Sequence, residues 1–241
     1  MIPWVRPDEP FPPVAQALAE PNGLLAASRT LSATQLVEAY RHGIFPWYGE
    51  DEPILWWSPD PRLVLQTTAL RISRSLRKRI RQVLAEPSFE IVLDRSFPTV
   101  MTECAAPRSR QEGTWITAPM RRAYGELHER DLAHSVEAWS EGRLVGGLYG
   151  VSLGRMFFGE SMFARRTDAS KVALATLVRL MQIEQMPLID CQQETAHLRS
   201  LGATTMARGA FCAQVAMAAQ RAPIDWARYR GRDVKSLLAD I

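Results

Sequence analysis

The chain has 241 residues, of which 46% are hydrophobic and 23% are charged, and its formal net charge is +3. These values are ordinary for a soluble globular protein that is large enough to form one domain or two. No apolar run approaches the roughly 20 residues that a membrane-spanning helix needs, and the Pro-rich first 20 residues show no secretory signal.

The N-terminal part of the chain combines Pro-rich segments with one predicted helix. Residues 1–30 are irregular, and the pattern at 21–26 predicts a turn that leads into structure. Residues 32–43 predict a helix with Ser32 as its N-cap and Gly43 at its end. Residues 44–62 concentrate aromatic side chains among prolines, a composition that seldom forms an ordinary strand or helix. We expect most of these rings to pack as a core between two domains, with one or two available to stack on a base.

Residues 70–84 predict an amphipathic helix with a strongly basic face. Its apolar stripe consists of Ile72, Leu76, Ile80, Val83 and Leu84, and its basic residues are Arg71, Arg74, Arg77, Lys78, Arg79 and Arg81. No acidic residue occurs between Asp60 and Glu86, so the positive charge is locally uncompensated. Such a face suits a nucleic-acid phosphate backbone. A solvated basic helix is the ordinary alternative.

The rest of the chain predicts a mixed α+β fold. The expected strands are 89–94, three antiparallel strands within 133–163, and 188–192; the expected helices are 98–105, 120–131, 168–185, a short helix ended by Gly202, and 208–220. Asp168 is the expected N-cap of the helix at 168–185. The order strand, helix, strand at its centre predicts a parallel strand pair joined by a crossover helix, inside a mixed sheet.

Two short segments carry the residues that best suit catalysis, GESMF at 159–163 and LIDCQ at 188–192. Side chains alternate along a strand, so Asp190 and Gln192 should share one face while Cys191 points to the other. A carboxylate and an amide on one face can cooperate on one reacting group. Glu160 lies among apolar residues, where a carboxyl group is neutralised, hydrogen-bonded or kept charged for a cationic ligand. The alternative is a strand-end carboxylate that faces water.

Several familiar site motifs are missing from the sequence. The four histidines do not occur at metal-binding spacings, and we find no GxSxG, Walker or GxGxxG motif. Three widely spaced cysteines, Cys104, Cys191 and Cys212, indicate reduced thiols in a cytoplasm and argue against a disulfide scaffold or a structural zinc site. Cys191 with His197 is a conceivable nucleophile pair, but a small core residue is the simpler interpretation of Cys191.

Nine short segments resemble the signature blocks of one protein family. They are HGIFPWY, LWWSPDPR, EGTWIT, AHSVEAW, LVGGLYGV, FFGESMF, DASK, LIDCQ and HLRSLGA. These blocks resemble those of the bacterial leucyl/phenylalanyl-tRNA-protein transferases. The resemblance implies a small N-terminal domain, residues 1–62, followed by a mixed-sheet domain of the GCN5-related acetyltransferase fold, residues 63–241. It also implies transfer of Leu or Phe, and less efficiently Met, from charged tRNA to an N-terminal Arg or Lys, which marks the recipient protein for degradation by the N-degron route.

The resemblance and the strand geometry lead to specific roles for the polar residues. We expect Asp190 to orient the attacking amine or to take its proton, directly or through Gln192. We expect Gln192 also to fix the acyl carbonyl, and Glu160 to complement the cationic side chain of the acceptor. The donor is already an activated ester, and an α-amine with a reference pKa near 7.7–8.0 is partly neutral at cellular pH, so positioning and modest base assistance suffice.

Three sets of binding residues follow, the first two from the resemblance and the third from the basic face of residues 70–84. Trp47 and Trp115 would hold the terminal adenosine of the tRNA, with Tyr40 and Tyr124 nearby. The pocket for the aminoacyl side chain would consist of Leu148, Phe157, Leu174, Leu177, Met181 and Ile189. The tRNA backbone would lie on Arg71, Arg74, Arg77, Lys78 and Arg81. The expected partners are thus Leu-tRNA, Phe-tRNA and proteins with an N-terminal Arg or Lys, with no membrane and no need for more than a monomer.

One departure from related acetyltransferases bears on the cofactor. Enzymes that use coenzyme A cradle its pyrophosphate in a glycine-rich turn, whereas the corresponding turn here reads ARRTDAS and has no glycine. This argues against a coenzyme A-dependent N-acetyltransferase, and we expect no cofactor and no metal. Two further alternatives are a noncatalytic tRNA-binding protein and a peptidoglycan aminoacyltransferase on a related fold.

Overall fold

The computed structural model describes residues 2–106 and 116–241. Within these ranges the chain forms ten strands and seven α-helices. The strands are β1 (Leu24–Ser28), β2 (Phe45–Pro46), β3 (Ile54–Trp57), β4 (Arg62–Gln66), β5 (Phe89–Leu93), β6 (Ala133–Ser140), β7 (Arg143–Leu153), β8 (Met156–Ala164), β9 (Leu188–Gln192) and β10 (Thr204–Met206). The helices are α1 (Ala33–Arg41), α2 (Arg74–Ala85), α3 (Phe97–Ala105), α4 (Ala118–Glu129), α5 (Ala169–Ile183), α6 (Ala196–Ser200) and α7 (Arg208–Ala219).

The strands form two sheets. A three-stranded antiparallel sheet has the order β1-β3-β2, and a seven-stranded sheet has the order β10-β4-β9-β8-β7-β6-β5. In the larger sheet every neighbouring pair is antiparallel except β8 and β9, which run parallel and are connected through α5. This confirms the predicted antiparallel meander, the crossover helix and the mixed α+β class.

Helices pack on both faces of the larger sheet. One buried cluster joins the small sheet to α1, α3 and α4 and includes Trp56, Tyr124 and Phe158. The other joins α2 and α5 to the C-terminal segment and includes Leu180 and Trp226. Because the small sheet and the larger sheet share the first cluster, the division of the chain at residues 62 and 63 stays a proposal.

The first helix forms as its sequence predicts. The Ser32 hydroxyl accepts a hydrogen bond from the Gln35 N–H at 3.1 Å, which satisfies one of the free donors at the start of α1. Gly43 follows the helix with a φ of +72°, a conformation that a side chain disfavours. These two residues set the position of α1, which carries Tyr40 into the core.

The aromatic segment at 44–62 is more regular than we expected. It contains β2 and β3, and the Trp56 Nε1–H donates to the Ser28 hydroxyl of the neighbouring strand at 2.9 Å. Trp56 and Trp57 are both buried, so packing of large rings between paired strands outweighs the nearby prolines. The strands β1, β4 and β10 were also absent from the sequence-based prediction.

The starts of α2 and α5 differ in detail from the prediction. α2 begins at Arg74, because the Ser73 hydroxyl caps it through the Leu76 N–H, and Arg71 therefore precedes the helix. Asp168 does stand at the N-cap position of α5, but its φ is +62° and its side chain accepts a hydrogen bond from Lys171 Nζ at 2.7 Å. The carboxylate thus forms an ion pair and does not cap the backbone.

The larger sheet opens between its two parallel strands. β8 and β9 are paired only at Phe157–Ile189 and Phe158–Asp190, after which β8 continues beside β7 and β9 continues beside β4. The register of β7 and β8 also shifts at this point and leaves Glu160 as an extra residue in β8. A β-bulge of this kind redirects a side chain. The divergence and the bulge together create a cavity and place Glu160 beside it.

Candidate active site

A cavity of about 460 Å³ lies where β8 and β9 separate. Its apolar lining includes Leu148, Phe157, Leu174, Leu177 and Ile189, and its polar lining includes Glu160, Asp190 and Gln192. A mostly apolar concavity with a few convergent polar groups, in this range of volume, is the usual form of a small-molecule site. The cavity can therefore accept an apolar group and present hydrogen-bonding groups to the atoms attached to it.

Glu160 is held by three hydrogen bonds at the polar end of the cavity. The Tyr40 hydroxyl lies 2.6 Å from Oε1, the Tyr124 hydroxyl lies 3.0 Å from Oε2, and Gln192 Nε2 donates to Oε1 at 2.8 Å. Burial raises the pKa of Glu160 to about 7, and the two tyrosine hydrogen bonds oppose that rise. Near neutral pH a change in the surrounding charge is therefore sufficient to change the protonation state of this carboxyl group.

Asp190 forms a buried ion pair with Arg62. Arg62 Nε donates to Oδ1 at 2.8 Å and Nη2 donates to Oδ2 at 2.6 Å, and both side chains are fully buried. Arg62 Nη1 donates to the Gly43 carbonyl, and the rings of Phe45 and Phe211 lie 4.6 and 4.7 Å from the guanidinium carbon. Both carboxylate oxygens of Asp190 are thus already engaged by the protein.

Gln192 connects this ion pair to Glu160. Its backbone has a φ of +60°, and its N–H donates to Asp190 Oδ1 at 2.9 Å. The side-chain amide then reaches Glu160, as described above. Asp190 and Gln192 belong to the same polar cluster. Cys191 packs against the buried cluster that includes α5 and also lines the cavity. Burial and the charge of Asp190 raise the pKa of the Cys191 thiol, so it is a poor nucleophile.

The residues expected at the tRNA 3′ end lie in different places. Trp47 lines the cavity, and 43% of its surface is exposed. Tyr40 and Tyr124 are fully buried and their hydroxyls are bound to Glu160 and to each other, so neither presents a free face to a ligand. Trp115 lies outside the residues that the structure describes.

Five of the six expected pocket residues line the cavity. The exception is Met181, which is fully buried in the core of α5 and is not among the lining residues. Leu177 precedes it by one helical turn and does line the cavity.

The basic residues expected on tRNA are exposed. Arg74, Arg77, Lys78 and Arg81 lie on α2, and Arg71 lies just before it. Among residues 2–106 and 116–241, none of these five side chains forms an ion pair. Their charge is therefore available to a polyanion.

Sequence-based reasoning missed Arg62. This residue heads β4, whose next three residues are apolar and buried. A lone cation at the start of a buried strand is costly without an anion beside it, which was the available signal.

Two absences concern the described part of the chain. In those residues no group of three or more His, Cys, Asp and Glu side chains is arranged to hold a metal ion. No helix there combines the length and apolar character required to cross a bilayer.

Comparison with known proteins places this chain among the aminoacyltransferases. A family model described as leucyl/phenylalanyl-tRNA protein transferase matches residues 64–216, and a model of the N-terminal domain of the same proteins matches residues 29–60. The chain belongs to the leucyl/phenylalanyl-tRNA protein transferase family. It is an enzyme whose substrates are an aminoacyl-tRNA and a protein.

Relatives named leucyl/phenylalanyl-tRNA–protein transferase cover nearly the whole chain. The Burkholderia lata protein is 54% identical over 230 residues, which are 94% of this chain and 91% of that protein. The Paraburkholderia phymatum protein is 54% identical over 94% of both chains. The Burkholderia pseudomallei protein is 53% identical over 99% of this chain and 94% of its own.

Similar solved structures are much more distant. They include a GCN5-related N-acetyltransferase-like protein from Streptococcus suis, 14% identical with a TM-score of 0.34, which covers 75% of this chain and 67% of its own. Another is L-PGS from Bacillus licheniformis, 11% identical with a TM-score of 0.39, which covers 73% of this chain and 57% of its own. Likeness at this level carries no inference about substrates.

The Arg62–Asp190 pair predicts a large cost for neutralising Asp190. Asp190→Asn would leave the buried guanidinium without a counter-charge, which destabilises a protein by about 3–5 kcal/mol. We expect this loss in the free energy of urea-induced unfolding. Asp51→Asn, at an exposed position, serves as the control and should change the free energy little. Equal effects of the two variants would contradict this account of the pair.

The raised pKa of Glu160 predicts a pH-dependent stability difference between the wild type and Glu160→Gln. An acid whose pKa rises on folding stabilises the protein at pH values below its pKa in the unfolded chain, here 4.5, and this contribution is lost as the pH rises to about 7. Between pH 4.5 and about 7, the free energy of unfolding of the wild type should thus fall by on the order of 3 kcal/mol relative to that of the variant. It should change little at higher pH. Urea unfolding of both proteins between pH 4.5 and 8 measures it. A constant difference would show that Glu160 is ionised throughout.

Proposed function

We propose that this enzyme transfers Leu or Phe, and less efficiently Met, from charged tRNA to the α-amine of proteins that begin with Arg or Lys. The product would carry an N-degron and be directed to degradation. The observation that supports this proposal best is the apolar cavity that ends at Glu160 and Gln192. It offers one surface for an apolar aminoacyl side chain and, next to it, polar groups for an amine and a cation.

The aminoacyl side chain would enter the apolar part of the cavity. Leu148, Phe157, Leu174, Leu177 and Ile189 surround this space. Leu, Phe and Met are unbranched at Cβ, so their side chains would be narrow where they pass between β8 and β9 and would widen only inside the cavity. Met181 would back this pocket from within the core.

The 3′-terminal adenosine would bind at the mouth of the cavity. Trp47 offers an exposed indole for stacking, and its neighbour Trp57 supports it through an edge-to-face contact at 5.6 Å. We propose that Trp115 contributes a second ring. Tyr40 and Tyr124 would lie near this site without touching the nucleotide, because both are buried and hold Glu160 in place.

Chemistry at this site requires little beyond positioning, because the donor ester is already activated. The amine nitrogen bonds to the acyl carbon, the ester C–O bond breaks, and a proton passes from the nitrogen to the leaving tRNA oxygen. Both Asp190 oxygens are bound to Arg62, so we propose that Asp190 acts through Gln192. The Gln192 side chain would then hold the attacking amine and the acyl carbonyl in line.

Acceptor choice would depend on Glu160. An N-terminal Arg or Lys brings a cationic side chain, and a buried carboxyl group near the attacking amine would complement it. We propose that the enzyme acts in the cytoplasm, as a monomer and without a cofactor.

The proposed reaction predicts selective labelling of a cationic acceptor. With Phe-tRNA bearing labelled phenylalanine and no added cofactor, a peptide with N-terminal Arg should be labelled, and an otherwise identical peptide with N-terminal Ala should not. Transfer to both peptides would contradict the role of Glu160. Binding of the tRNA without transfer to either peptide would favour a noncatalytic tRNA-binding protein.

The basic helix predicts a contribution to tRNA binding that is independent of tRNA identity. Phosphate contacts carry no base information, so Ala substitution of Arg74, Lys78 and Arg81 together should raise KM for Leu-tRNA and Phe-tRNA by the same factor. The salt dependence of binding should also weaken.

A charge-matched control is available on other elements. Arg143, Arg221 and Arg232 are exposed, and replacing all three with Ala removes the same charge. We expect little change in KM from this control. An effect of the α2 variant on one tRNA alone would contradict recognition through phosphates.

A further inference from the structure

Glu160, Tyr40 and Tyr124 form a closed ring of three short polar contacts. The Tyr40 hydroxyl is 2.6 Å from Glu160 Oε1, the Tyr124 hydroxyl is 3.0 Å from Oε2, and the two hydroxyl oxygens are 2.5 Å apart. The ring is buried, and both tyrosines are fully so. Three side chains from α1, α4 and β8 thus share their protons at the buried end of the cavity, and of the three only Glu160 lines the cavity itself.

The number of protons in this ring depends on the state of Glu160. An ionised carboxylate only accepts, so both tyrosine hydroxyls would donate to it and no proton would remain between the two hydroxyl oxygens. A protonated carboxyl group supplies the third proton. Oε2–H then donates to Tyr124, Tyr124 donates to Tyr40, and Tyr40 donates to Oε1, which also accepts from Gln192. Only the neutral form gives each of the three contacts a proton.

The surrounding charges favour the same form when the cavity holds no cation. Among residues 2–106 and 116–241, the titratable and charged groups that face Glu160 are Tyr40, Tyr124, Tyr149, Asp190 and Arg62. The Asp190 carboxylate disfavours a second negative charge nearby, and Arg62, which would favour it, is already paired with Asp190. Burial acts in the same direction and raises the pKa of Glu160 to about 7.

We propose that Glu160 is protonated in the empty site and releases its proton to solvent when a cationic acceptor enters, so that Tyr40 and Tyr124 set the selectivity for a cation. This inference rests on the proposed transfer to N-terminal Arg or Lys. In the ionised state both hydroxyls donate to the carboxylate, and the tyrosine oxygens move apart. A neutral N-terminal residue leaves the carboxyl group protonated and gains no ion pair, because an uncompensated buried charge is too costly.

The proposal assigns the two tyrosines to acceptor binding and not to the tRNA. Tyr40→Phe or Tyr124→Phe removes one donor to the carboxylate, and a hydrogen bond to a charged group contributes roughly 1.5–3 kcal/mol. Each variant should raise KM for an Arg peptide about tenfold or more and leave KM for Phe-tRNA unchanged.

A matched control exists away from the cavity. The Tyr229 hydroxyl donates to Glu184 Oε1, so Tyr229→Phe removes the same type of tyrosine–glutamate hydrogen bond. It should change neither KM. If Tyr40→Phe and Tyr124→Phe raised KM for Phe-tRNA and left KM for the peptide unchanged, the tyrosines would be tRNA contacts and the proposal would be wrong.

Proton release can be measured directly by isothermal titration calorimetry. An Arg peptide is titrated into the enzyme at pH 6.5, with no donor present, in buffers of different ionisation enthalpy. The wild type should release more protons than Glu160→Gln when the Arg peptide binds. Any proton that the peptide's own α-amine loses is released with both proteins, so the difference between them reports Glu160. An Ala peptide should release no proton from the enzyme. Equal release by both proteins would overturn the proposal.

The calorimetric test and the transfer test fail separately. If phenylalanine is transferred to the Arg peptide but binding releases no proton from Glu160, only this inference is wrong. If the Arg peptide is never labelled, the proposed function is wrong as well. Should Glu160→Gln bind the peptide too weakly for calorimetry, an Arg peptide with an acetylated α-nitrogen decides, because that nitrogen does not titrate: its Kd for the wild type should fall as the pH rises from 6 to 8, and a flat profile would contradict the proposal.

Discussion

The site depends on one buried ion pair, between Arg62 on β4 and Asp190 on β9. Burying two charges is costly unless the geometry satisfies all of their hydrogen-bonding groups. Here the carboxylate accepts two guanidinium hydrogen bonds, a third guanidinium nitrogen reaches the Gly43 carbonyl, and two aromatic rings cover the guanidinium. From this pair a continuous series of hydrogen bonds passes through Gln192 to Glu160 and so to α1 and α4. Loss of the ion pair would therefore disturb the amide, the second carboxyl group and the packing of two helices together.

The larger sheet provides the cavity beside which these hydrogen-bonded residues lie. Two parallel strands that stayed paired along their length would leave no cavity, but β8 and β9 pair at only two positions. The bulge at Glu160 then turns a carboxyl group to the edge of the opening. The apolar lining comes from neighbouring strands and from α5, the crossover helix that joins the parallel pair. An apolar pocket and a polar cluster are consequently adjacent because of the sheet topology.

Local patterns were sufficient to predict the helices, the antiparallel meander and the parallel pair, since periodicity and capping act over a few residues. They failed where a partner far along the chain decides the outcome. β3 forms because Trp56 and Trp57 are buried against β1, and Arg62 belongs to the site because of a residue 128 positions away. Strand alternation and local environment identified Asp190, Gln192 and Glu160, which the structure brings together. Neither these patterns nor the family resemblance revealed that Tyr40 and Tyr124 lie behind Glu160, because only the packing of α1 and α4 shows which way their hydroxyls point.

The central claim is that one cavity binds the aminoacyl group and presents its ester to Gln192. A crystal structure of the enzyme with a stable amide analogue of 3′-phenylalanyl-adenosine would test it most directly. We expect the phenyl ring between Leu148, Leu174 and Ile189, the adenine against Trp47, and the acyl carbonyl within hydrogen-bonding distance of the Gln192 side chain. A phenyl ring bound elsewhere, or an acyl carbon remote from Gln192 with the ring correctly seated, would contradict it.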